Sequence, residues 1–206
     1  MAWEALCSPK QEGGLGFLDL QLWNVCALGK LLWNIASKKD TLWVKWVHSV
    51  YIKQGTLWEC ATSSYNSWLF LKILQSRGIV KEVILDCLTK QREYTIRSAY
   101  EILRIHQAKC GWAKLIWRPG TIPRVQFMVW LACRNRLLTR ARLKEMGMVL
   151  DTLCIFYQQQ EETRDHIFLF CPVTALIWQN IRRLIGRSDP IIGWDQEIKA
   201  LLTRTR

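Results

Sequence analysis

DTLCIFYQQQEETRDHIFLFCP, residues 151–172, contains a cysteine, a histidine and a second cysteine at spacings close to those of a zinc site. Structural zinc sites close four positions with thiolate or imidazole ligands, commonly a Cys-x2-Cys turn and a second pair from a helix or loop. His166 and Cys171 form the second pair, but Tyr157 stands where a second cysteine would follow Cys154. Spacing alone does not separate a working metal site, a damaged one and three ordinary core side chains.

The composition predicts a folded, basic and helical chain. With 206 residues, of which 50% are hydrophobic, the chain can bury a core in one domain or in two small ones. Twelve Trp beside 11 Gly and 5 Pro favour helices that pack through large aromatic side chains. The 29 Lys and Arg against 17 Asp and Glu leave a net charge of +12, which indicates an anionic partner such as nucleic acid, or else a solvated basic surface.

The sequence predicts neither a membrane span nor a secretion signal. No apolar run approaches the roughly 18 residues that a span requires, and the opening MAWEALCSPKQEGG lacks the basic-then-apolar layout of a secretion signal. The eight cysteines are scattered and do not form a disulfide framework, so reduced thiols are expected. We therefore expect a nuclear or cytoplasmic protein that is not secreted.

Helix signals recur through the first half of the chain. Apolar residues follow helical spacing from Leu20 onward, Asp40 is the predicted cap of a second helix, and Gly78 is the predicted end of a third. Ser98 and Glu101 have the spacing of a capping box for a fourth. The less regular basic stretch before this fourth helix places a domain boundary near residue 90.

The second half has sharper helix signals. Pro123 suits the first turn of one helix, Thr139 can cap another that Gly147 would end, and the last clear helix begins at Pro172. These patterns predict a predominantly α-helical chain. The apolar stripe of the last helix consists of Val173, Leu176, Ile177, Ile181 and Leu184.

A longer ordered pattern surrounds the Cys/His stretch. Residues 112–148, WAKLIWRPGTIPRVQFMVWLACRNRLLTRARLKEMGM, are followed by residues 154–181, CIFYQQQEETRDHIFLFCPVTALIWQNI. This order of motifs resembles the zinc-binding domain that follows reverse transcriptase in plant LINE-type, non-LTR retrotransposon polyproteins. The matching residues are Trp117, Ile122, Pro123, Trp130, Asn135, Arg136, Leu137, Thr139, Cys154, Glu162, Thr163, His166, Cys171, Pro172, Ile177 and Trp178.

The front of the chain is also similar to this family. Residues 3–35, WEALCSPKQEGGLGFLDLQLWNVCALGKLLWNI, resemble the segment that joins the polymerase thumb to the zinc domain. Two features depart from the family pattern. Tyr157 replaces one metal ligand, and the stretch between RGIVKEVI and YTIRSAY is much shorter than the connection that the family implies. The resemblance therefore implies a trimmed or degenerate copy.

The resemblance implies a domain scheme and a metal. It divides the chain into a helical connection over residues 1–90, a zinc-binding-like domain over residues 91–187 and a short basic tail over residues 188–206. The implied fold class is mainly α, as small helical domains with a short zinc-knuckle-like Cys/His turn in the C-terminal half. The implied metal ligands are Cys154, His166 and Cys171, with Tyr157 in the fourth position, so that zinc is bound weakly or has been lost. A phenol keeps its proton at neutral pH and is a poor zinc ligand.

Two functions of different classes remain on this basis. The first is a non-catalytic accessory domain that binds RNA or DNA without reading its sequence, and the second is a vestigial structural or protein-interaction domain. The seven Asp are dispersed without the adjacent pair that helps a reverse transcriptase hold metal ions, and no motif places a general base for a catalytic zinc. The predicted nucleic-acid-binding residues are Arg134, Arg136, Arg140, Arg142, Lys144, Arg182 and Arg183.

Overall fold

The computed structural model describes residues 2–63 and 66–203, and these residues are mainly helical, as the sequence predicts. Among them no β-strand forms, and one antiparallel bridge joins Leu153 to Glu161. Short 3-10 and π turns cover Lys10–Glu12, His48–Ile52 and His166–Phe170. The α-helices are α1 (Trp3–Cys7), α2 (Leu20–Ala36), α3 (Leu42–Val47), α4 (Trp68–Thr89), α5 (Ile96–Leu103), α6 (Ala113–Ile116), α7 (Pro123–Cys133), α8 (Arg140–Glu145), α9 (Pro172–Leu184) and α10 (Trp194–Thr203).

The chain forms two compact units. The first unit combines Met1–Pro9 with Gly14–Gln107, and the second unit combines Lys10–Gly13 with Ala108–Arg206. The division follows Gln107 because Tyr94 is fully buried in the core of the first unit, although the sequence places a domain boundary near residue 90. The domain scheme that the family resemblance implies, with residues 1–90, 91–187 and 188–206, stays a prediction.

The first unit has a core made by α2, α4 and α5. Tyr94 lies at its centre, and its hydroxyl donates a hydrogen bond of 3.0 Å to the carbonyl of Cys26. A Cβ at Gly29 would overlap this hydroxyl, so the close approach of the tyrosine to α2 requires glycine there. Other fully buried residues of this core are Leu32, Ile35, Ile73, Val80 and Ile84.

Three predicted helix boundaries in the first unit are wrong. Thr41 caps α3, accepting from the Val44 amide at 3.4 Å, whereas Asp40 pairs with the Lys45 ammonium. Thr95 caps α5 by accepting from the Ser98 amide at 3.1 Å, so the Ser98 and Glu101 capping box does not form.

Helix α4 does not end at Gly78, which is the third boundary. The helix continues to Thr89 because Val80, Val83 and Ile84 bury their side chains in the core. Burial of this kind outweighs the roughly 1 kcal/mol by which a glycine weakens a helix.

In the second unit α7 and α8 begin as predicted. Pro123 occupies the first turn of α7, and Thr139 caps α8 by accepting from the Arg142 amide. Trp130 of α7 is fully buried, and its Nε1 donates to the carbonyl of Gly13 at 2.9 Å. This contact helps to explain why residues 10–13 belong to the second unit.

Helix α9 begins at Pro172 as predicted, but its burial is the reverse of what its pattern suggests. Arg182, which lies off the apolar stripe, is buried. Trp178 is only half-buried, and its indole nitrogen is shielded without a hydrogen-bond partner. The apolar stripe is exposed, at 53% for Val173, 63% for Leu176, 62% for Ile177, 41% for Ile181 and 87% for Leu184.

Candidate metal centre

Cys154, His166 and Cys171 converge in the second unit. One possible ligand atom from each lies within 4.8 Å of the others, and the two sulfur atoms are 3.9 Å apart. Both cysteines are fully buried, and His166 is buried with them. The spacing in the sequence therefore corresponds to a real cluster.

The spacing of the two sulfurs fits a zinc tetrahedron. Tetrahedral zinc with Zn–S bonds of about 2.3 Å holds two sulfurs about 3.8 Å apart, close to the observed 3.9 Å. The Nε2 atom of His166 is buried and has no hydrogen-bond partner. A buried polar atom without a partner is unfavourable, and a metal ion on this nitrogen would satisfy it.

Local turns bring the three side chains together. The Cys154 amide donates to the Gln160 carbonyl and the Gln158 amide donates back to the Cys154 carbonyl, both at 2.8 Å, which closes the loop that carries the first cysteine. The Cys171 amide donates to the His166 carbonyl at 2.7 Å, which sets the second pair across one π turn. Cys171 is also the N-cap residue of α9, so the start of this helix fixes the second sulfur.

Two residues with no assigned role in the sequence interpretation hold this arrangement. The buried carboxylate of Glu162 accepts from the Arg140 amide at 3.0 Å and from the Ile155 amide at 3.2 Å. It therefore joins the loop after Cys154 to the start of α8. The hydroxyl of Thr163 accepts from the His166 amide at 3.1 Å. The Glu-Thr-x-x-His motif is the signal that could have identified both roles.

Two thiols of the second unit, Cys171 and Cys133, differ in their electrostatic surroundings. Burial acts to raise the pKa of the Cys171 thiol, but hydrogen bonds from the Val173 and Thr174 amides at the start of α9 and from the Cys154 thiol lower it below its usual value. Burial raises the pKa of Cys133 to about 11. Cys133 is not a member of the ligand cluster, so it does not supply a fourth ligand within the described residues.

Tyr157 lies half-buried in the loop that follows Cys154. Among residues 2–63 and 66–203, the ligand cluster contains three Cys, His, Asp or Glu side chains. The assignment of Tyr157 to the fourth position stays a prediction.

The predicted nucleic-acid-binding residues around α8 differ in their accessibility. Arg136 and Lys144 are exposed, whereas Arg134 is half-buried. Arg140 pairs with Asp151 at 2.9 Å and also donates to the Leu153 carbonyl. The half-buried Arg142 donates to the Asn135 carbonyl at 3.4 Å.

The predicted residues on α9 also separate. Arg183 is exposed, but Arg182 is buried, pairs with Asp189 at 2.9 Å and approaches Glu197 at 3.5 Å. Arg187 pairs with the same two carboxylates. Hydrogen bonds from Arg187 are the main cause that lowers the pKa of Asp189 to about 2. Arg182 thus links α9 to α10 and does not belong to the exposed basic surface.

Comparison with known proteins identifies a family for part of the chain. Residues 94–178 match the family model described as zinc-binding in reverse transcriptase. An uncharacterized mitochondrial protein of Arabidopsis thaliana is 30% identical over 86 residues, which cover 41% of this chain and 56% of that protein. A ribonuclease H-like protein of the same plant is 19% identical over 268 aligned positions, which cover 87% of this chain and 43% of that protein.

Further findings limit and accompany these matches. The chain spans about half the length of the curated relatives it matches. The 268-position alignment is longer than the 206-residue chain, so that relative carries internal residues with no counterpart here. No solved structure matches, and no helix of the described residues has the length and apolar character to cross a membrane. The resemblance inferred from the sequence is confirmed, and residues 94–178 are similar to the zinc-binding domain of reverse transcriptases, with relatives in a plant.

Proposed function

We propose that this chain is a non-catalytic accessory part of a plant retroelement reverse transcriptase, which binds RNA or DNA through exposed basic residues of the second unit. Its Cys154, His166 and Cys171 cluster is a three-ligand zinc site of low affinity. The observation that carries the proposal is this buried cluster, with its orphan His166 nitrogen, inside the family-matched segment. Its dispersed aspartates support a role without catalysis.

The metal part of the proposal follows from the donor set. Two thiolates and one imidazole are ligands that zinc prefers, but a structural site closes all four positions. Zinc bound by this set would cross-link the Cys154 loop, the π turn that begins at His166, and the start of α9. The buried Glu162 already joins the Cys154 loop to α8, so this part of the fold has support without metal.

The nucleic-acid part rests on the loop between α7 and α8. Helix α7 is followed by Asn135 in the left-handed region, at φ 51°, while the Arg136 amide donates to the Leu131 carbonyl at 2.8 Å. This C-capping turn ends α7, and Arg136 within it is exposed. Five basic residues and one acidic residue, Glu145, lie within residues 134–146. Such a cluster suits phosphates and does not read bases.

Charge reversal tests this surface. Arg136→Glu with Lys144→Glu should weaken binding of a labelled duplex RNA and reduce the slope of log affinity against log salt, by about 0.9 for each phosphate that the variant no longer neutralises. The control is Lys109→Glu with Lys114→Glu, which makes the same charge change at two exposed lysines outside this loop. Equal affinities and slopes for the two double variants would refute the assignment of binding to this loop.

Zinc content of protein purified without chelator tests the metal part. A low-affinity site should contain well under one zinc per chain, and should take up zinc as free zinc is raised. Cys154→Ser with Cys171→Ser should abolish this uptake. Stoichiometric zinc after extensive dialysis would contradict low affinity.

A protein-interaction domain is a second candidate, and the exposed apolar stripe of α9 favours it. Such stripes commonly mark contact surfaces. If this candidate is correct, nucleic-acid affinity should be weak and independent of salt. In that case Leu176→Asp with Leu184→Asp should increase solubility without altering the fold.

A further inference from the structure

Two exposed tryptophans of the first unit lie next to Tyr51, one in space and one along the chain from its hydrogen-bond partner. Trp68, at the start of α4, is 73% exposed, and Trp46 of α3 is 48% exposed. The Tyr51 ring lies edge-on to Trp46 with the centroids 5.2 Å apart, and its hydroxyl accepts from the Ser67 amide at 3.4 Å. Ser67 directly precedes Trp68, so Tyr51 contacts the Trp46 ring and the backbone from which Trp68 begins.

Tyr51 also anchors these rings to the core. It stacks on Phe70 at a centroid distance of 4.4 Å, and Phe70 is fully buried. Ser67 caps α4 by accepting from the Phe70 amide at 3.3 Å, which fixes the first turn that presents Trp68. The Trp46 ring and the first turn of α4 are therefore held by the core, and both tryptophans have large exposed surfaces.

The segment that carries both tryptophans is positively charged. Residues 41–81 contain five Lys and Arg but one acidic residue, Glu59. Lys72 is exposed one helical turn after Trp68, and Lys53 is exposed just after Tyr51. Helix α4 has no acidic side chain before Glu82, so nothing acidic on this helix opposes the positive end of its dipole. Lys45 is partly neutralised by its 2.6 Å contact with Asp40.

We propose that Trp46 and Trp68 form a stacking platform for single-stranded nucleic acid, with Lys53 and Lys72 contacting the phosphates beside the stacked bases. Exposed aromatic rings with adjacent cations are the features by which proteins bind single strands without sequence preference. A duplex keeps its base faces stacked, so it cannot use such a platform. The proposal rests on the nucleic-acid role proposed above, but it assigns a different surface in the other unit and a specific form of the ligand.

A protein partner could also cover two exposed tryptophans. The excess of lysine in this segment favours a polyanion instead. An uncharged protein partner would remove water from these lysines without supplying an opposite charge. A second copy of the chain carries the same positive charge here, which opposes self-association through this face. Single-stranded nucleic acid is the partner that satisfies both the rings and the charge.

The test measures binding of the full chain to a fluorescein-labelled 15-nucleotide oligouridine and to a 15-base-pair duplex RNA. Trp68→Ala and Trp46→Ala should each weaken binding to the single strand about tenfold, as expected for the loss of one stacked base, and should leave duplex binding unchanged. Trp68→Phe keeps an aromatic face and should retain most of the affinity. Trp3→Ala is the matched control, because Trp3 is also about half exposed, at 52%, but stacks on Phe17.

Each outcome separates this proposal from the general one. Because Trp68 is mostly exposed, Trp68→Ala should fold, which circular dichroism will verify. Wild-type affinity of both alanine variants for oligouridine would overturn the platform, while persistent duplex binding would leave the wider proposal intact. If the wild type binds neither probe, both proposals fail. Concentration-dependent association of the wild type that Trp68→Ala removes would overturn the platform in favour of a protein contact.

Discussion

Tyr157→Cys should give the Cys154, His166 and Cys171 cluster a fourth ligand and convert it into a structural zinc site. Tyr157 lies within the loop that the Cys154 and Gln158 backbone bond closes at 2.8 Å. A cysteine three residues after Cys154 completes the Cys-x2-Cys turn. The two existing sulfurs already have the spacing that zinc requires, and the variant adds one thiol donor.

The magnitude follows from the donor count. Four-ligand structural zinc sites bind with about 10 to 16 kcal/mol, so an equal share for one ligand is about 2.5 to 4 kcal/mol, or roughly a hundredfold to a thousandfold in affinity. With free zinc at about 100 times the Kd of the variant, binding stabilises the folded variant by about 2.7 kcal/mol. The original protein gains less than about 0.5 kcal/mol at the same free zinc.

Thermal unfolding in buffered zinc and in chelator measures this difference. For a unit of about one hundred residues, 2.7 kcal/mol corresponds to an increase in Tm of about 10 °C or more. Phe156→Cys is the positional control, because it places the same thiol one residue earlier on an exposed side chain, at 57%. If Tyr157→Cys gains no zinc-dependent stability, or gains no more than Phe156→Cys, the assignment of the fourth position to residue 157 is refuted.

Three stability predictions follow from contacts that urea unfolding can test. Trp130→Ala should lower the free energy of unfolding by about 3 to 5 kcal/mol because the ring is fully buried. Trp130→Phe should lower it by less, since this change removes mainly the hydrogen bond to the Gly13 carbonyl. Equal decreases for the two variants would contradict the view that ring burial contributes more than the hydrogen bond. Glu162→Gln should lower the free energy of unfolding by about 1.5 to 3 kcal/mol because the amide can replace only one of the two accepting oxygens. An unchanged urea midpoint would show that the fold does not need the carboxylate. Gly29→Ala should destabilise by about 1 to 3 kcal/mol through overlap with Tyr94, although alanine favours helix; increased stability would contradict this.

Signals that act within a few residues were readable from the sequence. Pro123 and Pro172 start helices because proline suits a first helical turn, and Thr139 caps α8 through an amide three residues away. The Cys/His cluster belongs partly to the same class, because a closed loop and one π turn set Cys154, His166 and Cys171 locally. Family resemblance added the expectation that these local pieces converge.

Long-range packing decided what local patterns could not. Gly78 lies inside α4 because residues after it are buried in the core that α4 forms with α2 and α5. The presence of a glycine in the sequence gives no information about that burial. On α9, the helical spacing of apolar residues predicted an apolar stripe. In the tertiary structure that stripe is exposed, and Arg182 is buried against the carboxylates of Asp189 and Glu197.

The sequence by itself determined the helical class, the starts of α2, α7, α8 and α9, and the three side chains of the Cys/His cluster. These features depend on backbone preferences and on hydrogen bonds between near neighbours. Only the tertiary structure showed that Trp130 donates a hydrogen bond to Gly13, 117 positions away, and that Glu162 joins the Cys154 loop to α8. It also showed which arginines are exposed. The physical reason is that burial and ion pairing depend on which distant surfaces meet, and that information is spread over the whole chain.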